Sequence, residues 1–148
     1  MLFRSYGPVA GPWGSPGGGG PTVMFRDMMD AAIAGREAVV PSASLEWVYS
    51  KDAARGTVMA LQAAKLPSRV FNITMGTVVT PEELSAALKE VFPGVKVRFD
   101  KPLVASSARA KPAEIRRAKD ILGYEPAYPI VKAMQDYLEW SRKYARAG

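Results

Sequence analysis

The 148-residue chain contains no cysteine and no histidine. Without cysteine it can form neither a disulfide nor a thiolate, and without histidine it lacks the commonest metal ligand and the commonest general base. Catalytic triads that depend on histidine are therefore excluded, and we expect no metal site. No apolar run approaches the roughly 18 residues needed to cross a bilayer, and the N-terminal residues lack the pattern of a signal peptide. We predict a cytoplasmic protein with no membrane partner.

The composition is otherwise that of an ordinary globular protein. Hydrophobic residues make up 48% of the chain and charged residues 23%, so the length suits one domain with a buried core. The net charge is +6, and basic residues accumulate in the C-terminal third. Acidic residues such as Asp120 and Glu139 interrupt them, and no helix-turn-helix or zinc pattern is present. We do not expect a nucleic-acid partner, and a basic domain that binds anions or nucleic acid remains an alternative function.

Strand and helix patterns alternate along the chain. Short strand patterns occur in the segments MLFRSYGP, REAVVP, RVFNIT and VKVRFD. Helical patterns occur in residues 22–34, in the alanine-rich segment after Tyr49, in VTPEELSAALKEVFPG, and in PAEIRRAKDILGYEP and YPIVKAMQDYLEWSRKYARAG. This order predicts an α/β fold with short parallel strands and about five helices.

Two of these helices carry distinct signals at their N-termini. Thr80, Pro81 and Glu83 stand as cap, first helical residue and capping-box partner, which makes this helix the most secure prediction. Asp52 falls in the first turn of the alanine-rich helix, where a carboxylate suits the helix dipole. Methionines in the helix of residues 22–34 fit a core better than a cofactor contact.

The segment GPVAGPWGSPGGGGP, residues 7–21, invites a phosphate-binding interpretation. A P-loop requires a lysine directly after its glycines, and Pro21 and Thr22 stand there instead. Gly14, Gly17 and Gly20 have the spacing of a dinucleotide fingerprint, but the prolines at 12, 16 and 21 break its tight turn. We therefore predict a mobile surface loop in residues 9–21, with a substrate lid as the alternative, and divide the chain into residues 1–21 and 22–148.

Five segments resemble one enzyme family in their order and spacing. They are YGP at 6–8, WVYSKDAARGTVMAL at 47–61, VFNITMG at 70–76, VTPEELSAAL at 79–88 and AEIRRAKDILGYEP at 113–126. Together they are similar to the C-terminal part of the extended short-chain dehydrogenase/reductases, the NAD(P)-dependent epimerase/dehydratase family. The resemblance implies a partial Rossmann-type fold, in which residues 1–21 hold the YGP turn and the flexible loop, and residues 22–148 form the substrate-binding lobe.

The resemblance also assigns candidate site residues. Tyr6, Gly7 and Pro8 match the turn that lines the nicotinamide end of the cofactor pocket, although a plain turn remains the alternative. Arg109 falls near a family arginine that contacts substrate phosphate, and its guanidinium suits that task. Leu45 stands where nucleotide-sugar enzymes commonly carry a second such arginine. Asp52 matches a family aspartate, for which helix capping is the favoured role.

The family's GxxGxxG and its catalytic YxxxK both lie upstream of the YGP turn, and we identify neither motif in this chain. We therefore assign no catalytic residue, and expect the chain alone to be inactive and to bind neither NAD nor NADP, the cofactors of full-length members. The predicted function is the substrate-binding, C-terminal portion of an epimerase/dehydratase-type oxidoreductase that acts on a sugar or nucleotide sugar. A non-catalytic interaction module is the other alternative. Apolar surface left uncovered predicts a homo-oligomer, with the helix of residues 22–34 as the candidate surface.

Overall fold

The computed structural model describes residues 3–12, 20–64, 67, 70–101 and 111–144. The strands are β1 (Phe3–Tyr6), β2 (Val9–Ala10), β3 (Ala38–Val40), β4 (Val48–Tyr49), β5 (Val70–Ile73) and β6 (Val97–Phe99). The helices are α1 (Pro21–Ile33), α2 (Ser50–Gln62), α3 (Pro81–Val91), α4 (Arg116–Leu122) and α5 (Ile130–Tyr144). The predicted α/β class with five helices and short parallel strands is confirmed.

The strands form three separate parallel pairs. β1 pairs with β5 with Tyr6 opposite Ile73, β2 pairs with β4, and β3 pairs with β6. Strand β2 is a difference from the sequence prediction, which placed residues 9 and 10 in the flexible loop. Ala10 and Gly11 are buried, so the first part of that segment belongs to the folded body. The loop prediction otherwise falls mainly on residues 13–19, which lie outside the described residues.

Local sequence explains where most helices begin and end. The capping box of α3 is present as predicted, with Thr80 Oγ1 accepting from the Glu83 N–H and Glu83 Oε2 accepting from the Thr80 N–H. Helix α4 ends at Gly123, whose φ of 68° is a left-handed conformation that favours glycine. It begins at Arg116, four residues later than the pattern predicted, because Pro112 to Ile115 continue an irregular segment.

The buried apolar residues form two groups. The larger cluster packs α1, α3 and α5 against β3 and β4, and includes Phe25, Met28, Met29, Leu88, Met134 and Tyr137. The smaller cluster packs β5 against α4 and the segment after it through Phe71, Ile73, Ala118 and Tyr124. The methionines of α1 at 28 and 29 are thus core residues, as predicted, and are not available to the oligomer surface assigned to this helix.

Helix α2 approaches the smaller cluster closely at Gly56. A Cβ built on this glycine would lie 2.6 Å from Ile73 Cγ2 and 3.1 Å from Tyr124 Cε2, so only glycine allows this packing distance. Within the described residues, no helix combines the length and apolarity that crossing a membrane requires. The same part of the chain contains no group of acidic side chains arranged to hold a metal ion.

Candidate functional site

The carboxyl ends of β1 and β5 lie side by side because the two strands are parallel and in register. β1 runs into the turn Gly7–Pro8, and β5 runs into the segment of residues 74–79. In open α/β sheets, ligands bind in the crevice outside the carboxyl ends of the strands. This edge, with the turn and residues 74–76, is the candidate functional site and is called the strand-end site below.

Glu46 organises the strand-end site through its carboxylate. Its Oε1 accepts hydrogen bonds from Thr74 Oγ1 at 2.6 Å and from the Gly76 N–H at 2.8 Å. Its Oε2 accepts from the Ala113 N–H at 2.7 Å. The Glu46 side chain therefore joins the segment before β4 to the end of β5 and to the segment that leads to α4. The sequence analysis missed this role, because the partners are 28 to 67 positions away.

The turn after β1 is held against the same residue. A Cβ on Gly7 would lie 2.5 Å from the Glu46 carbonyl oxygen, so this position admits no side chain without movement. The Pro8 carbonyl accepts from the Val48 N–H at 3.0 Å. The Tyr6 hydroxyl donates to Thr57 Oγ1 on α2, and the Tyr6 residue is 39% exposed. The turn is thus rigidly attached on one side and accessible on the other.

Asp52 is in the first turn of α2 as predicted, but it does not cap that helix. Its carboxylate is fully buried and accepts hydrogen bonds from the Ala127 and Tyr128 N–H groups at 2.9–3.0 Å. Arg55 Nη2 donates to Asp52 Oδ1 at 3.2 Å and also to the Glu125 carbonyl. The Asp52–Arg55 pair therefore ties α2 to the segment between α4 and α5, which is a structural role.

A second polar junction joins α2 to α5. The buried Tyr49 hydroxyl donates to Asp136 Oδ2 at 2.7 Å, and Lys51 Nζ donates to the other oxygen of this carboxylate. Burial raises the pKa of the Tyr49 phenol far above its ordinary value of 10, and the hydrogen bond to Asp136 raises it further. The same carboxylate raises the pKa of Lys51 through its hydrogen bond. Both groups thus keep their protons near neutral pH, and neither can act as a base there.

A cavity of about 330 Å³ opens beside the strand-end site, where the N-termini of α3 and α5 meet the ends of β2 and β4. We call it the α3–α5 cavity. Its walls are mainly apolar and include Trp47, Met75, Val78, Val79, Ile130 and Ala133. Tyr128 forms part of its wall, and the Lys132 ammonium lies 4.9 Å from the centre of the Tyr128 ring.

Tyr128, which lines this cavity, and Lys132, which lies against it, have the YxxxK spacing, so the expectation that the chain lacks this motif is wrong; the spacing itself is visible in the sequence. Their arrangement differs from an acid–base pair, because the ammonium lies over the ring. The predicted cofactor residues Tyr6, Gly7 and Pro8 lie together at the strand-end site, and none of them lines the cavity. Arg109 lies outside the described residues. Leu45 pairs through its backbone with Val79, next to both features.

No protein-family model and no curated protein sequence matches the chain. Solved structures do match. The UDP-glucose 4-epimerase of Thermotoga maritima, solved with UDP-glucose, is 25% identical with a TM-score of 0.71, over 96% of this chain and 46% of its own. The GalE-like L-threonine dehydrogenase of Cupriavidus necator is 26% identical with a TM-score of 0.77, over 93% of this chain and 52% of its own.

A more distant match shares the fold. The UDP-glucuronic acid 4-epimerase of Bacillus cereus, in complex with UDP-glucuronic acid and NAD, is 18% identical with a TM-score of 0.75. The alignment covers 96% of this chain and 45% of that one. The chain thus spans about half the length of the solved proteins that it matches.

Proposed function

We propose that this chain, which has the fold of the C-terminal part of the extended short-chain dehydrogenase/reductases, is the substrate-binding portion of an NAD(P)-dependent oxidoreductase of the epimerase/dehydratase type. The observation that carries the proposal is the strand-end site. There, Glu46 joins the turn after β1, the end of β5 and the segment before α4 into one rigid edge. Such an edge presents backbone and side chains to a ligand without the cost of ordering a loop.

The cofactor side of the proposal rests on Tyr6, Gly7 and Pro8. Because Gly7 has no side chain, its backbone can lie against the Glu46 carbonyl oxygen. The neighbouring Tyr6 remains partly exposed. This turn would line the nicotinamide end of a bound NAD or NADP, which supplies the hydride acceptor of the reaction. The role of the turn would be to position the cofactor ring and to exclude water, since the Tyr6 hydroxyl is already engaged by Thr57.

The substrate side of the proposal favours a sugar or nucleotide sugar. Two of the matched enzymes were solved with UDP-glucose and with UDP-glucuronic acid. In this chain Arg109 is the residue proposed to contact a phosphate of such a ligand, because a guanidinium can bind phosphate in a bidentate manner. A net charge of +6 favours an anionic substrate as well.

A second candidate is a small hydroxylated substrate without a diphosphate. Leu45 is the observation that favours it, because an apolar residue stands where a second phosphate-binding arginine is expected. L-Threonine dehydrogenases are among the matched structures. Binding of a small substrate would not require two guanidinium groups.

We also propose that these 148 residues do not catalyse hydride transfer alone. The sequence carries a YxxxK spacing only at Tyr128, where Lys132 lies over the ring and among described residues makes no hydrogen bond to a phenol. A cofactor-binding half would complete the site. In the absence of such a half, the apolar side chains that α2 exposes would support association of the chain into homo-oligomers.

The test is a calorimetric titration of the purified chain with UDP-glucose, UDP-glucuronic acid, L-threonine, NAD and NADP. We expect saturable binding of a nucleotide sugar that Arg109→Ala weakens about tenfold, because a charge-assisted bidentate contact is lost. Arg98→Ala is the matched control, since Arg98 is an exposed arginine paired with Glu37. Selective binding of L-threonine would support the second candidate instead.

Absence of binding by every ligand in this panel contradicts a preformed substrate site in the chain. A Gly7→Val variant adds a test of the strand-end site itself, because its side chain would collide with the Glu46 carbonyl. We expect this variant to lose ligand binding while circular dichroism shows its helices retained. Unchanged binding by Gly7→Val would place the ligand elsewhere.

A further inference from the structure

We propose that the α3–α5 cavity is a separate ligand site for a small molecule that has an aromatic or aliphatic body and one anionic group, such as a carboxylate. The inference goes beyond the proposed function, because Tyr6, Gly7 and Pro8 take no part in lining this cavity. It rests on the shape of the cavity, on the chemistry of its walls and on the partners of one lysine.

The cavity has the dimensions and lining of a small-molecule site. Its volume of about 330 Å³ lies at the lower end of the range of ligand pockets, roughly 300–1,000 Å³. Trp47, Met75, Ile130 and Ala133 contribute apolar wall from three different segments. Apolar surface of this kind favours the body of an aromatic or aliphatic ligand, because burying that body releases water from both surfaces.

Two residues with hydroxyl groups that have no internal partner line the cavity. Tyr128 is half-buried and Thr77 is exposed, and within the described part of the chain neither hydroxyl makes a hydrogen bond. A small number of polar groups generally fixes the orientation of a ligand in such a site. Two hydroxyl groups among apolar walls therefore fit a ligand that carries acceptor oxygens.

Lys132 does not itself line the cavity, but its exposed ammonium lies over the ring of Tyr128, which does. In the part of the chain that the structure describes, this ammonium has no carboxylate partner and lies 4.9 Å from the centre of the Tyr128 ring. Lys51 approaches the same ring at 5.6 Å, but Asp136 already neutralises it. Glu83 also lines the cavity, and its carboxylate is bound by the Thr80 N–H in the capping box. An anion is therefore expected beside the Tyr128 ring, where the Lys132 ammonium lies.

The test uses 3-phenylpropionate as the probe and its neutral amide as the matched ligand, with methyl NMR on the intact chain as the readout. We expect saturable shifts of the Met75 and Ile130 methyl signals. The amide should bind about threefold to fivefold more weakly, as should 3-phenylpropionate to the variant Lys132→Met, because one partly exposed ion pair is lost. Lys143→Met is the control, since Lys143 is on the same helix and its ammonium lies 5.1 Å from the centre of the Tyr144 ring, and Tyr144 does not line the cavity.

A second variant tests the cavity itself. Ala133→Leu places additional methyl groups in it, and we expect this variant to remain folded and to lose the methyl shifts. The proposal is overturned if 3-phenylpropionate causes no saturable shift up to its solubility limit. It is also overturned if Lys132→Met and Lys143→Met affect binding equally, or if folded Ala133→Leu binds as tightly as the original chain. These outcomes concern 3-phenylpropionate at the cavity, and they do not depend on whether NAD or a nucleotide sugar binds at the strand-end site.

Discussion

The two apolar clusters differ in how completely this chain covers them. The larger cluster is enclosed by α1, α3 and α5 over two strand pairs, and its large side chains, such as Phe25 and Met134, are fully buried. The smaller cluster lies on the β1–β5 pair, and the elements around it expose Tyr6, Val58, Leu61 and Val70, whereas those around the larger cluster expose Ile33, Phe99 and Tyr144. Parallel sheets are normally covered on both faces, so we expect additional protein beside the β1–β5 pair.

This difference predicts that the two regions depend to different extents on neighbouring protein. The two regions are not independent, because Asp52 on α2 binds the backbone at residues 127 and 128, just before α5. The strand-end site lies on the less covered region, and the α3–α5 cavity lies against the more covered one. Binding of NAD or NADP at the first is therefore expected to depend on a partner, whereas ligand binding at the second is not.

The largest effect is expected in the larger cluster. Met134→Ala removes a fully buried side chain of α5 and leaves a cavity, which we expect to reduce the free energy of unfolding by about 2–5 kcal/mol. Denaturant unfolding followed by circular dichroism measures it. Val58→Ala, on the exposed face of α2, is the control and is expected to change stability by less than about 0.5 kcal/mol. If Met134→Ala lowered the free energy of unfolding by less than about 1 kcal/mol, the larger cluster would not be more completely enclosed than the smaller one.

The next effect concerns the junction of the two regions. Asp52→Asn places an amide group where two oxygens accept backbone N–H bonds, so at least one donor loses its acceptor. We expect unfolding free energy to fall by about 1.5–3 kcal/mol, the value of a hydrogen bond to a charged group. Asp120→Asn on the exposed face of α4 is the matched control. If the two variants unfold at the same denaturant concentration, Asp52 does not join the regions.

Alkaline pH should destabilise both regions through their tyrosines. Burial raises the pKa of Tyr124 in the smaller cluster and of Tyr137 in the larger one, and the hydrogen bond to Asp30 adds to the shift at Tyr137. A raised native pKa contributes stability that is fully present below the unfolded value of about 10 and is lost as pH rises above it. Above that unfolded value, each tyrosine should lower the free energy of unfolding by about 1.4 kcal/mol per pH unit.

The measurement is unfolding free energy between neutral pH and the alkaline limit of stability. Tyr124→Phe and Tyr137→Phe should each make the alkaline loss less steep by one proton. Tyr6→Phe is the control, because Tyr6 is partly exposed. An equally steep alkaline loss in Tyr124→Phe and in the original chain would show that the smaller cluster is open enough for its phenol to ionise.

Local signals explain which parts of the fold the sequence predicts. Thr80, Glu83 and Gly123 act through neighbours within four residues, so the ends of α3 and α4 could be predicted from single segments. Strand β2 could not, because two residues next to glycine and proline become a strand only by pairing with β4, about 39 positions away.

The sites depend even more on distant partners. Glu46 and Asp52 differ in no local respect from other acidic residues, and their backbone partners lie 30 to 76 positions away. The α3–α5 cavity is built from several segments, and only the YxxxK spacing of Tyr128 and Lys132 marks it in the sequence. The resemblance to a known family predicts that the Tyr6–Pro8 turn lines the nicotinamide end of a cofactor pocket, and this role stays a prediction, whereas composition alone would leave it an ordinary turn.

The smallest effect on stability, and the sharpest on association, is expected on α2. Leu61 and Val58 are 69% and 47% exposed, so replacing either with lysine should change unfolding free energy by less than about 0.5 kcal/mol. If these side chains cover the less enclosed region in a homo-oligomer, the same changes should weaken self-association about tenfold, because a charge is then buried at the interface. Light scattering at micromolar concentration measures both variants. Phe99→Lys is the control, since Phe99 is 49% exposed on β6, beside the larger cluster. A monomeric original chain, or dissociation by Phe99→Lys alone, would show that uncovered apolar surface on α2 does not drive assembly.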